Sequence, residues 1–216
     1  MHDVFFISYG EETAETNWER LVDIHPLTRR VMDIDGIFNA HSECARRSRT
    51  SHFFVVDADS EVHDAAIFQF KPPEWDANYV HVWFARNPLL AVPYGWGGLK
   101  LFPRHLFDDV APGLDMTTSF PLKVVPEVVS TTHFNITAFE TWRAAFRESV
   151  KLSLNDNDES RERLAAWLNP KWGAHRGWCV AGARGGISYV EAGGDPKNIN
   201  DYRWLEDHFK ATDGSA

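Results

Sequence analysis

The chain has 216 residues, of which 44% are hydrophobic, and a formal net charge of -9. This length favours one domain with a sizeable core. The acidic balance argues against a surface that grips a nucleic-acid backbone, because such binding neutralises phosphates with Lys and Arg. Two cysteines exclude a secreted disulfide framework. Without a recognisable signal peptide or membrane-spanning apolar run, we expect a cytoplasmic protein with no membrane partner.

The amino-terminal part predicts strands that alternate with helices. Short apolar runs predict strands at 4–8, 30–34 and 52–57. Between them, apolar residues at helical spacing predict two helices, marked by Trp18, Leu21 and Val22 and by Ile37, Ala40, Cys44 and Ala45. This alternation is typical of a parallel sheet in a Rossmann-like α/β fold, which binds ligands at the carboxyl ends of its strands.

The third strand ends in two carboxylates, Asp57 and Asp59. Residues two apart share a face of a strand, and where a strand ends both can turn toward one cation. Oxygen ligands suit Mg²⁺ or Mn²⁺, and such an ion can hold a diphosphate. The alternative is that the acids are turn formers or helix caps, which often follow strands.

The remainder predicts a change to a mixed sheet. Strands are expected at 66–70 and 79–85, and a glycine-rich loop at 94–98 leads into the apolar run 99–102. Thr137 and Glu140 have the spacing of a capping box that starts a helix, and further helices are expected at 158–168 and 200–210. The glycines at 182–186 predict either a mobile loop over a site or plain turns, with a short strand before Gly193.

The runs 36–45 and 53–59 together resemble the segment of GT-A glycosyltransferases in which a helix precedes an Asp-x-Asp strand. The resemblance implies a Rossmann-like GT-A fold, a single domain with a mixed central sheet and helices on both faces. It implies that Asp57 touches the nucleotide's sugar or its metal, and that Asp59 binds the Mn²⁺ or Mg²⁺ ion that bridges the diphosphate. It divides the chain into a nucleotide-binding half, 1–60, and an acceptor-side half, 61–216.

The loop 94–98 is similar to the Gly-Trp-Gly-Gly loop of galactosyltransferase-like members of that family. By that resemblance Trp96, Gly97 and Gly98 shape the donor and acceptor pockets, although core packing is the alternative for Trp96. Those enzymes continue with a Glu-Asp pair that supplies the catalytic base, whereas this chain has Leu99-Lys100. The remaining candidates for the base lie downstream: Asp108 and Asp109, with Asp115 behind them.

Further donor-site residues are predicted from their positions along the chain. Ser8, Tyr9 and Asp33 end or follow strands on one rim and are expected to line the nucleoside pocket. His133 is a candidate third metal ligand; the alternative is that it is an ordinary histidine beside an aromatic residue, with no ligand role. Arg143 and Arg147 stand one helical turn apart and would steady the diphosphate or, alternatively, pair with surface acids such as Glu140.

The whole chain, including 82–88 and 141–148, resembles a small group of glycosyltransferase-like proteins of tailed phages that is associated with hypermodified DNA bases. The resemblance implies a nucleotide-sugar donor, foremost a UDP-sugar, a hydroxymethylated pyrimidine in DNA as acceptor, and the host cytoplasm as location. Two alternatives remain. One is a non-catalytic nucleotide-binding protein with a degenerate transferase fold. The other is a nucleotidyltransferase, which is disfavoured because Glu11 and Glu12 after the first strand would repel phosphate.

Overall fold

The computed structural model describes residues 2–93, 95, 97–108, 120–155 and 157–212. The strands in these residues are β1 (Asp3–Ser8), β2 (Arg29–Met32), β3 (His52–Asp57), β4 (Ser60–Val62), β5 (Val80–Arg86), β6 (Leu99–Pro103) and β7 (Leu122–Thr132). The helices are α1 (Ala14–Ile24), α2 (Ile37–Arg47), α3 (Ala138–Ser153), α4 (Asp158–Leu168), α5 (Arg176–Glu191) and α6 (Tyr202–Thr212). Short 3-10 helices lie at Ala65–Gln69, Glu74–Asp76, Arg104–Phe107 and Pro196–Asn200.

The strands form one mixed sheet in the order β2-β1-β3-β6-β5-β7-β4. β1 is parallel to both β2 and β3, whereas β6 runs antiparallel to β3 and to β5. The chain passes from β1 to β2 on one side and returns to β3 on the other, so the winding direction changes between β1 and β3. The predicted βαβαβ series and the mixed α/β sheet are confirmed.

The strands β1 and β3 are covered by helices on both faces. Val4, Phe6 and Phe54 pack with Leu21 of α1 in one core cluster. The alternate residues Phe5, Phe53 and Val55 pack with Cys44 and Ala45 of α2 in a second cluster. Successive strand residues point to opposite faces, and this explains why both apolar runs are unbroken.

A separate group of helices follows the sheet. α3 begins at the predicted capping box, where the Thr137 hydroxyl accepts the backbone N–H of Glu140 at 3.1 Å. Its apolar face, including Trp142 and Phe146, is buried as expected. α5 packs along α3 through its glycines, since a Cβ on Gly186 would lie 2.5 Å from the carbonyl oxygen of Phe146. The predicted glycine loop at 182–186 and the short strand before Gly193 are therefore wrong, because α5 runs through both.

Two further segments differ from expectation. The strand predicted at 66–70 is a 3-10 helix, because Asp64 accepts the backbone N–H of Ala66 at 2.8 Å and starts a turn there. β7 was not predicted, since Pro126 interrupts its apolar run. The structure accommodates that proline where the pairing of β7 with β5 shifts register between Trp83 and Ala85.

Contacts divide the chain into two compact units, residues 1–86 with 93–133 and residues 87–92 with 134–216. The first contains the whole sheet, and the second contains α3 to α6. Strands after residue 60 thus complete the same sheet as those before it. The assignment of separate roles to 1–60 and 61–216 stays a prediction. In the part of the chain that the structure describes, no helix has the length and apolar character needed to cross a membrane.

Candidate functional site

The candidate site lies at the edge of the sheet where β1, β2 and β3 end. Ser8 and Asp57 are the last residues of two adjacent parallel strands, and Ile7 pairs with Asp57. The change in winding direction lies between these same two strands. In open α/β sheets this position forms a crevice outside the carboxyl ends of the strands, where ligands bind.

Asp57 contacts a lysine from the neighbouring antiparallel strand. Lys100 lies in β6 opposite Val55 of β3 and Val82 of β5, both of which pack on the α2 face of the sheet. Its Nζ donates to Asp57 Oδ2 at 2.7 Å. The Lys100 side chain is 9% exposed and that of Asp57 is 28% exposed. The first of the two predicted acids therefore already holds a cation supplied by the protein.

Asp59 lies in the turn between β3 and β4 and has different neighbours. Its Oδ1 accepts the Ser60 hydroxyl at 3.2 Å, and its carbonyl accepts the backbone N–H of His133 at 2.7 Å. The ring of His133 faces Glu61, with Nε2 3.2 Å from Oε2, and Arg20 contacts the same oxygen at 2.8 Å. The structure thus brings His133 to Asp59 through the backbone, while its imidazole belongs to a cluster with Glu61 and Arg20.

These contacts do not fit the expected three-ligand site for Mn²⁺ or Mg²⁺. Within the described residues, no group of three or more His, Cys, Asp or Glu side chains is placed to hold a metal ion. A cation on Asp57 would have to compete with the Lys100 ammonium. Cys44 offers no thiolate as a substitute, because burial raises its pKa to about 12.

The glycines before β6 pack tightly against the acid-bearing strand. Asp57 donates its backbone N–H to the carbonyl of Gly98 at 2.7 Å. A Cβ on Gly98 would overlap the hydroxymethyl group of Ser60, and one on Gly97 would lie 2.7 Å from the carbonyl oxygen of Trp83. The absence of side chains here lets the loop reach the end of β3. Trp96 lies outside the described residues, and a pocket-forming role for this loop stays a prediction.

The residues predicted for the nucleoside pocket lie on the rim formed by β1 and β2. The backbone N–H of Asp33 donates to the carbonyl of Ser8 at 3.1 Å, which joins the ends of the two strands. Tyr9 is 50% exposed and Met32, at the end of β2, is equally exposed. Exposed apolar groups beside a strand-end crevice form a surface on which a planar base can stack.

Glu11, in the acidic loop after β1, forms a hydrogen bond within that loop. Glu11 Oε2 accepts the backbone N–H of Tyr9 at 2.7 Å. Arg30 donates to Glu15 at 2.7 Å, and its guanidinium lies 5.5 Å from the ring of Trp18. Residues 9–13 contain no Lys or Arg, and the nearby Arg30 is paired with Glu15, so the loop provides no lysine-rich or arginine-rich cradle for a triphosphate.

Asp108 lies at the other edge of the sheet. β6 is antiparallel to β3, so it ends at Pro103 opposite His52, the first residue of β3. Asp108 follows the 3-10 helix after that strand, next to Phe107, whose ring packs on Phe53. The structure does not place Asp108 at the strand end that carries Asp57, and its role as the base stays a prediction. Asp109 and Asp115 lie outside the described residues.

Arg143 and Arg147 belong to the helical unit. The Arg143 guanidinium lies 4.9 Å from the ring centroid of Tyr202, and Arg147 donates to Asn200 Oδ1 at 3.3 Å. Tyr202 is the first residue of α6, and Asn200 lies just before that helix. A role for these arginines in holding a diphosphate stays a prediction.

Lys100 lies in the candidate site, but the sequence did not identify it as a residue that could bind a ligand. It appeared only as a departure from the Glu-Asp pair of the resembling enzymes. The available signal was its position as the single charged residue within Leu99–Pro103, where an apolar side chain is the default for a central strand. A charged residue in such a run indicates a partner or a function.

No protein-family model and no curated protein matches the chain. Among solved structures, it is similar to a mannosyltransferase from Pyrobaculum calidifontis in complex with GDP-Man and Mn²⁺, with 12% identity, a TM-score of 0.43, and coverage of 98% of this chain and 81% of that chain. It is also similar to HddC from Yersinia pseudotuberculosis complexed with GMP-PN, with 11% identity, a TM-score of 0.34, and coverage of 52% and 81%.

A third similar structure is a glycosyltransferase involved in glycosylation of the major capsid of PBCV-1, with 15% identity, a TM-score of 0.35, and coverage of 49% of this chain and 62% of that chain. The structural neighbours thus include glycosyltransferases. Identities and TM-scores this low carry no inference about activity, so the function has to be argued from the residues of this chain.

Proposed function

We propose that the protein is a glycosyltransferase that uses a nucleotide sugar and binds this donor at the carboxyl ends of β1 and β3. The observation that carries the proposal is the position of Asp57: it ends β3 at the point where the winding direction changes, and Gly98 and Lys100 adjoin it. A crevice in this position accommodates a nucleotide. The acids and the lysine beside it supply groups that orient a sugar and a phosphate.

In the proposed reaction the acceptor oxygen forms a bond to the anomeric carbon while the bond from that carbon to the phosphate oxygen breaks. The bonding electrons leave with the nucleoside diphosphate, and the acceptor proton passes to a carboxylate base. Ser8, Tyr9 and Asp33 line the nucleoside end, and Asp57 and Asp59 lie toward the sugar. Stabilising the charge on the departing diphosphate is the main electrostatic task of such a site.

A Mn²⁺ or Mg²⁺ ion is the usual device for that task, acting as a Lewis acid. Asp57, Asp59 and His133 do not gather as its ligands among the described residues. Because Asp57 already pairs with Lys100, we assign no step to the metal.

We further propose that the donor is a UDP-sugar and that the acceptor is a hydroxymethylated pyrimidine in phage DNA. The net charge of -9 opposes a DNA acceptor held by its backbone, so such an acceptor would have to be recognised through the extruded base. Binding of hydroxymethylated and plain DNA at about 50 and about 200 mM salt tests this point. Equal binding of both duplexes would contradict the proposed DNA acceptor without bearing on the proposed donor site.

Thermal unfolding with a panel of nucleoside diphosphates that includes UDP and GDP tests the donor site. A nucleotide at about a hundred times its dissociation constant should add about 2.7 kcal/mol to the free energy of unfolding. The panel is measured with Mn²⁺ and with a chelator, because either condition can support binding. No stabilisation by any nucleotide in either condition would overturn the proposal.

A non-catalytic nucleotide-binding protein is the second candidate function. It is favoured by one observation among the described residues: no carboxylate lies where the resembling enzymes have their Glu-Asp pair. That position is occupied by Leu99 and Lys100, and Asp108 lies at the opposite end of β6. Release of sugar from a panel of nucleotide sugars separates the two candidates. Nucleotide binding without any turnover would favour the second candidate.

A further inference from the structure

From the Asp57–Lys100 pair we infer that Lys100 takes the place of a divalent cation at the donor site and binds the diphosphate of the nucleotide directly. Donor binding then requires no metal ion. The inference rests on the proposed function, because it specifies how the same site holds the phosphates.

The first argument is the position of the lysine. Lys100 lies in β6, between β3 and β5, and its side chain is 9% exposed. Taking an ammonium out of water is costly, and apolar residues often stabilise such a position as well as or better than an ion pair does. Leu99 and Leu101 show that the strand is otherwise apolar. Stability alone therefore does not explain a lysine here.

The second argument is that the ion pair is incompletely satisfied. An ammonium has three donors, and the described residues offer Lys100 Nζ one partner, Asp57 Oδ2 at 2.7 Å. The other oxygen, Asp57 Oδ1, is buried and has no hydrogen-bond partner among them. A buried pair with a purely structural role is expected to have its remaining donors and acceptors filled. The Nζ donors that Asp57 leaves unused can serve an anionic ligand, whereas Oδ1 is an acceptor and cannot.

The third argument is the chemistry of the ligand that fits. Free ammonium donors attract an anion, and lysine binds phosphate as a compact point charge. β6 begins where β3 ends, so Lys100 lies one residue inside the edge that forms the proposed crevice. Its positive charge counters the diphosphate there, and Asp57 holds the ammonium when no ligand is bound. A divalent cation on Asp57 would be repelled by the adjacent ammonium and would have to displace it.

Isothermal titration of the wild-type protein with GDP and UDP, in EDTA and in saturating Mn²⁺, tests the inference without any variant. We expect dissociation constants that agree within about threefold between the two conditions, since a direct ammonium-phosphate contact needs no ion. Binding at least about tenfold tighter with Mn²⁺ would overturn the inference and leave the donor site intact. No binding in either condition would instead overturn the proposed function itself.

Two variants sharpen the result. Lys100→Met keeps the length of the side chain and removes the charge, and it should weaken nucleotide binding in EDTA by about tenfold or more. Lys123→Met is the matched control, because Lys123 lies in β7 with a 52% exposed side chain and pairs with Asp76 at 3.5 Å. Unchanged binding by Lys100→Met, with its fold verified by circular dichroism, would contradict the inference.

Asp57→Asn separates the two modes of binding by the sign of its effect. If a metal ion on Asp57 holds the diphosphate, the wild-type protein binds only in Mn²⁺, and the amide abolishes that binding. If Lys100 holds it, the amide releases the ammonium from its carboxylate partner, and nucleotide binding in EDTA should be retained or tightened. Loss of binding in the folded Asp57→Asn protein would therefore overturn the inference even if Lys100→Met fails to fold.

Discussion

Asp57 donates its backbone N–H to the carbonyl of Gly98 at 2.7 Å, so the strand that carries the candidate acid and the glycine segment before β6 are joined by their backbones. The same glycine faces Ser60, the first residue of β4. Three segments therefore meet at one edge of the site with no room for a side chain at residue 98. This close approach gives the Gly-Gly pair a structural reason that does not depend on a ligand.

Gly98→Ala should destabilise the protein by about 1 to 3 kcal/mol, the usual cost of overpacking a filled interior. The added methyl group would overlap Ser60 and approach the Cβ of Asp57 to 3.1 Å. Urea denaturation measures the effect. Gly177→Ala is the control, since a Cβ there meets nothing within 4 Å. Equal stability of the two variants would show that the segment before β6 can move away from β3.

The two neighbouring glycines of α5 should respond to alanine in opposite directions. Gly185→Ala places a Cβ at 3.4 Å from the ring of Phe146, an ordinary contact, and should stabilise the helix by up to about 1 kcal/mol through helix propensity. Gly186→Ala places it 2.5 Å from the carbonyl oxygen of Phe146 and should destabilise the protein by about 1 to 3 kcal/mol despite the same propensity gain. Thermal unfolding of both variants is the measurement. Equal stability of Gly186→Ala and Gly185→Ala would contradict the close packing of α5 against the backbone of α3 at Gly186.

The stability of the protein should fall as the pH drops below about 6.5, partly because of His81. Burial lowers the pKa of His81 from its ordinary value of 6.5, although Asp76 acts in the opposite direction. His81 is 1% exposed, and its ring packs beside those of Phe70 and Trp83, which also contact each other. As the pH falls below 6.5 the unfolded chain binds a proton first, so folding loses stability from there down to the lowered pKa of the folded state, by up to about 1.4 kcal/mol per pH unit for one group.

His81→Phe should reduce that pH dependence, because the aromatic packing is kept and the titrating group is gone. The free energy of unfolding at pH 7.5 and 5.5, from urea denaturation, gives the comparison. His105→Phe controls for the loss of a histidine at an exposed position. An unchanged difference between the two pH values in His81→Phe would show that other groups account for the whole effect.

The sequence was sufficient for the local features of the site and insufficient for those that depend on strand direction. The strand 52–57 and the capping box of α3 follow from short-range pattern, and both are confirmed. The pairing of Lys100 with Asp57 joins residues 43 apart and depends on β6 lying beside β3. The same antiparallel direction carries Asp108 away from the site. Spacing along the chain predicts neither outcome, because the apolar pattern of 99–102 predicts a strand but not whether that strand is parallel or antiparallel to its neighbours.

Asp59→Asn should lower sugar transfer or sugar release from a nucleotide sugar by at least about tenfold while leaving nucleotide binding in EDTA nearly unchanged. The Asp59 carboxylate lies in the turn after β3 and accepts the Ser60 hydroxyl at 3.2 Å, so the neutral amide keeps that hydrogen bond and removes the charge. The charge is what a developing positive centre at the anomeric carbon would require. Steady-state turnover with a donor panel, paired with titration of the nucleoside diphosphate, measures both quantities. Asp23→Asn removes an equivalent charge from an exposed position of α1 and serves as the control. Full activity in Asp59→Asn would mean that this acid is a turn residue only, whereas loss of both activity and nucleotide binding would place it at the phosphates.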